Sequence, residues 1–291
     1  SFFSQTGFDF NQITSYPISK FMIHTNSFLP FTIHQNRPFF YMVKRGSSSK
    51  DLDTQLFNQC KTVGVQFELG AKAPEDCHIL ATGTRKVAAY INGINFITDL
   101  EDQVHLLLGH EFAPKGYAYL IILNGQGTLA TAFKKQRGKE QDILSNCLDY
   151  FLSYGIEISN ESTFASRGSF SLPFNSLALP YEIGEAGGYQ DYLFGFGIRM
   201  SMMSGHAAAL SIIGRKKEAK ALINDLNQKM RLSFINRILY ERLNDDQMAS
   251  FAKKLSKTID PISLLSSAYM WNLKNVLRWI TMKHRYEVRP T

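Results

Sequence analysis

The chain has 291 residues, long enough for one large or two moderate domains with a real core, and its 44% hydrophobic and 20% charged residues are those of a globular protein. No apolar run reaches the roughly 18 residues a membrane helix needs, and the opening SFFSQTGFDFNQ has no basic leader before an apolar core, so no secretory signal is expected. A net charge of +7 favours anionic partners without choosing among a nucleotide, a nucleic acid and a membrane surface.

Cys60, Cys77 and Cys147 are far apart and odd in number, which fits reduced thiols in a cytosolic protein rather than a disulfide framework. In chain order, residues 1–16 read as the tail of a helix and a polar loop. KFMIHT, PFTIHQ and PFFYMVKR, between residues 18 and 45, are strand-like runs separated by Asn26, Ser27, Asn36 and prolines. The serines at 47–49 lead to Asp51, placed to cap a helix over 52–63 whose Leu52, Leu56 and Cys60 share a face. Gly64 ends that helix, VQFELG reads as a short strand, and CHILATGT, residues 77–84, as a buried strand.

Residues 87–135 are strand-rich, and an antiparallel sheet is expected there. Asn92-Gly93 and Asn124-Gly125 are hairpin signals with alternating neighbours. Residues 125–130 match G-x-G-x-x-A, but a dinucleotide fingerprint must open a helix, and TLATAF is rich in β-formers, so the hairpin is preferred. Residues 142–154 then read as a helix, and TFASRGSFSLP leads into the next element.

The stretch 181–213, YEIGEAGGYQDYLFGFGIRMSMMSGHAAALSII, combines a strand-like run, a glycine-rich loop and a helix. Residues 177–183 are apolar enough for a buried strand, which Gly184, Gly187 and Gly188 end. Gly195 and Gly197 precede a helix from Ile198, where Ile198, Met202, Met203 and residues 207–210 take helical spacing. A helix opening on glycines presents free N–H groups and partial positive charge, which suits a phosphate or an electron-rich carbonyl edge; a tight turn with close helix packing is the alternative. After Gly214, segments 216–243, 245–258 and 261–285 are helical in spacing and end in the basic VLRWITMKHRYEVR, which either packs with a solvated face or rests on a membrane surface. Lysines and arginines are spread over helices, which argues against specific nucleic-acid binding. His24, His34, His105 and His110 show no ligand spacing, and neither Cys-x-x-Cys nor G-x-S-x-G occurs, so no metal and no serine nucleophile is expected.

The order Gly184-Glu185-Ala186-Gly187-Gly188, six intervening residues, then Gly195-Phe196-Gly197-Ile198 resembles the second flavin motif of FAD-dependent oxidoreductases with the hydroxybenzoate-hydroxylase fold. That motif is usually written G-D-A-A-G/H, a spacer with proline, then G-x-G-[IL]. The variant here, followed by Gln190-Asp191, is most similar to the geranylgeranyl reductase family; Glu185 replaces the commoner Asp, and Asp191 or Tyr192 stands where a proline is usual. The resemblance covers most of residues 18–285 and implies FAD as cofactor. It implies that Gly184 is cofactor-binding, that Glu185 hydrogen-bonds the ribityl chain, and that the amides of Gly195, Phe196, Gly197 and Ile198 face the pyrimidine end of the isoalloxazine. By the same resemblance Arg45 reaches back to the cofactor, or is a solvated charge at a strand end. Ala81, Thr82 and Gly83 lie against FAD, or form a plain strand-to-loop turn. Pro114-Lys115-Gly116-Tyr117-Ala118-Tyr119 is similar to the family's P-x-G-Y-x-W-x-F-P, with Ile121-Ile122 replacing Phe-Pro, so Tyr117 and Tyr119 are either an aromatic wall for an apolar chain or core residues.

The expected fold class is α/β (α+β as cut): a flavoprotein FAD-binding-type layer from 1–86 and 160–214, an antiparallel substrate-side sheet over 87–159 and a helical C-terminal region over 215–291. The layer is expected to be incomplete at its N-terminus, since no strand, G-x-G-x-x-G and helix for an ADP pyrophosphate is found in the sequence. The implied function is a flavin-dependent reductase, or a fragment of one, moving hydride from reduced FAD to an apolar alkene such as a prenyl chain. Its reductant is either a nicotinamide or an electron-transfer protein, its location cytoplasmic and at most peripheral to a membrane. No side chain stands out as proton donor. The other reading is a non-catalytic or assembly-dependent remnant of the fold.

Overall fold

A computed structural model describes residues 6–84, 87–134, 140–159, 161–170 and 177–282. Its strands are β1 (Ser15–Ile18), β2 (Lys20–Thr25), β3 (Phe31–His34), β4 (Phe40–Val43), β5 (Ile79–Leu80), β6 (Val87–Ile97), β7 (Gln103–Leu108), β8 (Tyr117–Leu123), β9 (Gln126–Phe133), β10 (Ser162–Ser169) and β11 (Tyr181–Glu182). Its helices are α1 (Leu52–Thr62), α2 (Glu140–Ser153), α3 (Ile198–Ile212), α4 (Lys216–Tyr240), α5 (Asp245–Ser256), α6 (Pro261–Ser267) and α7 (Leu273–Met282).

Period-two alternation builds the centre, a mixed seven-stranded sheet in the order β10-β6-β9-β8-β7-β2-β3. In β8, Ala118, Leu120 and Ile122 are fully buried on one face, with Leu107 and Leu129, against Cys147 and Phe151 of α2. Tyr117 turns to the other face and packs with Ile23, Ile33 and Leu108 against Ala252 and Leu255 of α5 and Leu264 and Leu265 of α6. Each fully buried side chain of this size contributes about 1.5–3 kcal/mol. A third cluster joins Met203 and Ala207 of α3, Leu226, Met230 and Phe234 of α4 and Met282 of α7 to Tyr189 and Tyr192 of the glycine-rich stretch.

The sheet over 87–135 is antiparallel as expected, with Asn124 (φ 50) and Gly125 (φ 73) both left-handed between β8 and β9, the turn an Asn-Gly hairpin adopts. It is extended beyond residues 87–159 by β2 and β3 on one side and β10 on the other, and the β2–β7 seam is parallel. Asn92-Gly93 is not a turn: β6 runs straight through it, and Gly93 is there because a Cβ would lie 2.5 Å from the Phe164 ring of β10. VQFELG forms no strand and leaves Val65, Phe67 and Leu69 exposed, since no described strand lies beside it to pair. The two buried strands expected over 77–84 and 177–183 shrink to β5 and β11, which pair only with each other. Residues 6–14 are turns rather than the tail of a helix, residues 1–5 lying outside the described part. Asp51 stands at the N-cap of α1, yet its carboxylate accepts the Ser48 amide at 2.9 Å instead of capping. The segment 261–285 is two helices, α6 and α7, and its last residues fall outside the described part. No helix among the described residues is long and apolar enough to cross a membrane.

The histidines do more than alternate. His24 and His105, on neighbouring strands, are buried under α2 with their Nε2 and Nδ1 atoms 2.8 Å apart. The Gln103 amide donates to the Glu101 carbonyl, so its Oε1, 2.7 Å from His105 Nε2, must accept. Neutral His105 then accepts at Nδ1, His24 donates from Nε2, and His24 Nδ1 accepts from the Tyr150 hydroxyl at 2.9 Å. One directional chain, Tyr150 to His24 to His105 to Gln103, satisfies every polar atom in it. Burial, which penalises the charged ring, lowers both pKa values from 6.5 to about 4, His24 also feeling His105.

Because the folded pKa values lie below the unfolded one, the unfolded chain binds more protons between them. The stability the pair contributes is complete above about pH 6.5 and lost as pH falls through about 4. Each unit of difference corresponds to about 1.4 kcal/mol. Urea melts at pH 7.5, 5.5 and 4.5 should show a marked loss toward acid for the wild type and a shallower one for His105→Gln, which has one titrating ring fewer. Identical pH slopes for the two proteins would contradict this account.

Candidate functional site

The parallel pairing of β5 with β11 sets Ile79 opposite Tyr181 and Leu80 opposite Glu182, so residues 81–84 and 183–185 leave the pair side by side. The chain then tightens into a 3-10 turn over Gly184–Gly187, with Gly184 (φ 59) donating to Ser204 Oγ of α3 at 2.9 Å and Gly188 (φ 79) left-handed. Gly187 has no alternative: a Cβ would stand 2.2 Å from the Glu182 carbonyl oxygen. Glu185 Oε1 accepts from the Thr84 hydroxyl at 2.7 Å and the Ser169 amide at 2.8 Å, and lies 3.4 Å from Gln190 Nε2. Glu185 therefore braces the ends of β5, β10 and β11.

Asp191 organises the loop leading to α3. It is 4% exposed. Its Oδ1 accepts the Leu193 and Phe194 amides at 3.0 and 2.7 Å, and its Oδ2 the hydroxyls of Ser233 (α4) and Tyr269, just beyond α6, at 2.9 and 2.8 Å. Its backbone closes the loop, its amide donating to the Phe196 carbonyl and its carbonyl accepting the Gly195 amide, both at 2.9 Å. Burial pushes the Asp191 carboxyl above the usual carboxylate range, opposed by those four donors. The Tyr117 hydroxyl, kept protonated by burial, donates to the Phe194 carbonyl, and Tyr192 donates to the Gly188 carbonyl at 2.7 Å.

The loop delivers Gly195 (φ 71) and Gly197 to the start of α3, where Gly197 is the N-cap and gives no side-chain cap. The Gly197 and Ile198 amides lie at a helix start, where the backbone has no intrahelical acceptor. Added Cβ atoms at Gly195 and Gly197 would meet only Tyr117 Oη at 3.6 Å and Gln190 Cβ at 3.8 Å, so side-chain space lies beside these amides. Phe196, 49% exposed, sits 5.5 Å from the Phe40 ring and 5.7 Å from Phe194, with Tyr119 6.3 Å from Tyr117 on the sheet face beneath.

Of the residues singled out in the sequence, the fold gathers Tyr117 with Gly195, Phe196, Gly197 and Ile198, and sets Ala81, Thr82 and Gly83 on the approach to Thr84 and Glu185. Arg45 makes a fork to Asp53 of α1, with both contacts at 2.6 Å. Ser233 and Tyr269, and the bonding role of Asp191, are not visible in the sequence. The only signal for them is an acid, Asp191, in the aromatic-rich spacer YQDYLF. The helix start without a side-chain cap and the glycine clearance beside it fit the electron-rich edge of a flavin ring.

No family model matches the sequence, and no curated protein matches it. Among solved structures, a geranylgeranyl bacteriochlorophyll reductase-like protein from Thermoplasma acidophilum is similar with a TM-score of 0.63 at 14% identity, covering 92% of this chain and 80% of its own. FqzB is similar with a TM-score of 0.54 at 11% identity, covering 94% and 80%. The likeness is one of fold. The mixed α/β fold is shared with these two proteins.

The brace at Glu185 makes it a fold residue. Glu185→Ala removes the acceptor of the Ser169 amide and the shorter of the two acceptors of the Thr84 hydroxyl, which keeps the Arg167 carbonyl at 3.1 Å, and should lower stability by about 1–2 kcal/mol in denaturant melts, whereas Glu185→Gln, which keeps an acceptor oxygen, should lose less. An alanine variant as stable as the wild type would refute the brace.

Proposed function

We propose that the chain is a flavin-dependent oxidoreductase, or part of one, that holds the pyrimidine edge of FAD at the N-terminus of α3 and acts on an apolar alkene such as a prenyl chain. The observation that carries this reading is the glycine-flanked, uncapped start of α3 beside an aromatic sheet face. A helix N-terminus carries roughly half a positive charge, which stabilises electron density gathering on a ring carbonyl. When bound, the reduced flavin would supply the hydride. The chain's own part would be orientation and exclusion of water: the Gly197 and Ile198 amides would hold the ring edge, and Phe40, Phe194, Phe196 and Tyr119 would offer an apolar wall. Tyr117 holds the loop by its bond to Phe194. Thr84 and Glu185 would face the ribityl chain. The prenyl substrate is supported by that wall and by the name of the reductase-like neighbour. The reductant is a nicotinamide or an electron-transfer protein. A second reading, a non-catalytic remnant of the fold, is favoured by Glu185 Oε1 being engaged by protein donors.

FAD titration separates them. The wild type should quench and shift the flavin spectrum, and Gly197→Asp should weaken binding tenfold or more. The new carboxylate has room, occupies the helix amides itself and repels the ring carbonyls. Its melting temperature should hold or rise, which excludes unfolding as the cause. A wild type that leaves the flavin spectrum untouched, or a variant that binds as tightly, would overturn the reading.

A further inference from the structure

Asp191 reaches from the glycine-rich loop into the C-terminal helices. Ser233 Oγ sits between the Tyr192 amide at 2.6 Å and Asp191 Oδ2 at 2.9 Å, itself fully buried. Tyr269 approaches from the turn between α6 and α7, a turn fixed by Asn275, 5% exposed, whose Nδ2 donates to the Ser267 and Met270 carbonyls at 3.2 and 2.8 Å. The other Asp191 oxygen holds the two amides that shape residues 193–196. One carboxylate thus transmits the position of α4, α6 and α7 to the peptide groups preceding α3.

We propose that Asp191, clamped by Ser233 and Tyr269, is the positioning residue of the loop that meets the flavin, so that the C-terminal helices set the geometry of the cofactor site. This rests on the flavin reading above. Asp191 does not touch the ligand; it acts through Phe194, Gly195 and Phe196. A hydroxyl lost at Tyr269 leaves the ring packed but frees one Oδ2 contact, and the loop relaxes around Oδ1.

Tyr269→Phe and Ser233→Ala are compared with the wild type in the whole chain by FAD titration, the visible spectrum of bound flavin and amide hydrogen exchange of the flavin-free protein. Each variant should bind FAD five- to tenfold more weakly, with altered fine structure in the bound spectrum and faster exchange at Leu193 and Phe194, while circular dichroism stays native. Asp191→Asn, which keeps an oxygen toward those amides, should retain most of the affinity that Asp191→Ala loses. Should the alanine variant not fold, Tyr269→Phe carries the test. If the wild type binds FAD and both hydroxyl variants match it in affinity and spectrum, the positioning role is overturned and the flavin reading stands. If the wild type binds no FAD, the flavin reading falls and the ligand named here with it; exchange then decides the clamp, unchanged rates at Leu193 and Phe194 overturning it and faster ones upholding it.

Discussion

The buried Arg237 fastens three parts of this molecule together. The Arg237 guanidinium, on α4, donates to Glu241 at 2.7 Å, to the Lys115 carbonyl at 2.7 Å and to the Tyr192 carbonyl at 3.4 Å, and lies 4.7 Å from the Phe170 ring. The Arg237 and Glu241 side chains are each 6% exposed, and Lys134 completes the group at 2.6 Å from Glu241. Burying an arginine is tolerable only with such complete pairing, because an uncompensated interior charge costs several kcal/mol. Its acceptors come from a helix, from the turn leading into β8 and from the glycine-rich loop, so satisfying one charge fixes the helical layer, the sheet and the loop at once. The adjacent Tyr240 hydroxyl repeats the arrangement on the Gly116 carbonyl at 2.5 Å.

Much of this architecture is written in local pattern. Alternation in YAYLIIL and the Asn124-Gly125 turn specify β8 and β9 without outside information, and helical spacing finds α2, α3, α4 and α5. Even there a cap went unread: Asn244 and Gln247 form a reciprocal capping box at the start of α5. Patterns fail where the deciding partner is distant. STFASRGS is too polar to read as a strand, and becomes β10 only because the β6 edge pairs with it. VQFELG has β-formers and alternation but no neighbour. Asn92-Gly93 carries a turn signal that the Phe164 ring overrides by packing on the glycine.

The site divides the same way. Glycines at tight turns are visible in sequence because no other residue fits, and the start of α3 fell where the spacing put it. The groups that hold the loop are not visible, since Ser233 and Tyr269 lie 42 and 78 residues from Asp191. The same blindness explains the histidines. His24 and His105 look like solitary polar residues in apolar strands until β2 and β7 come together across 81 residues.

That seam has a kinetic consequence. The β7-β8-β9 meander closes through short turns and gains its hydrogen bonds early, whereas β2 must find β7 across a loop of some eighty residues before any contact offsets the entropy of closing it. The β2-β3 hairpin is thus a late arrival on a preformed platform, and until it docks the His105 imidazole has lost its Nδ1 partner while β7 stands as an open edge. The order of assembly makes that edge the place where a nascent or refolding chain is most exposed to strand-pairing with another copy of itself.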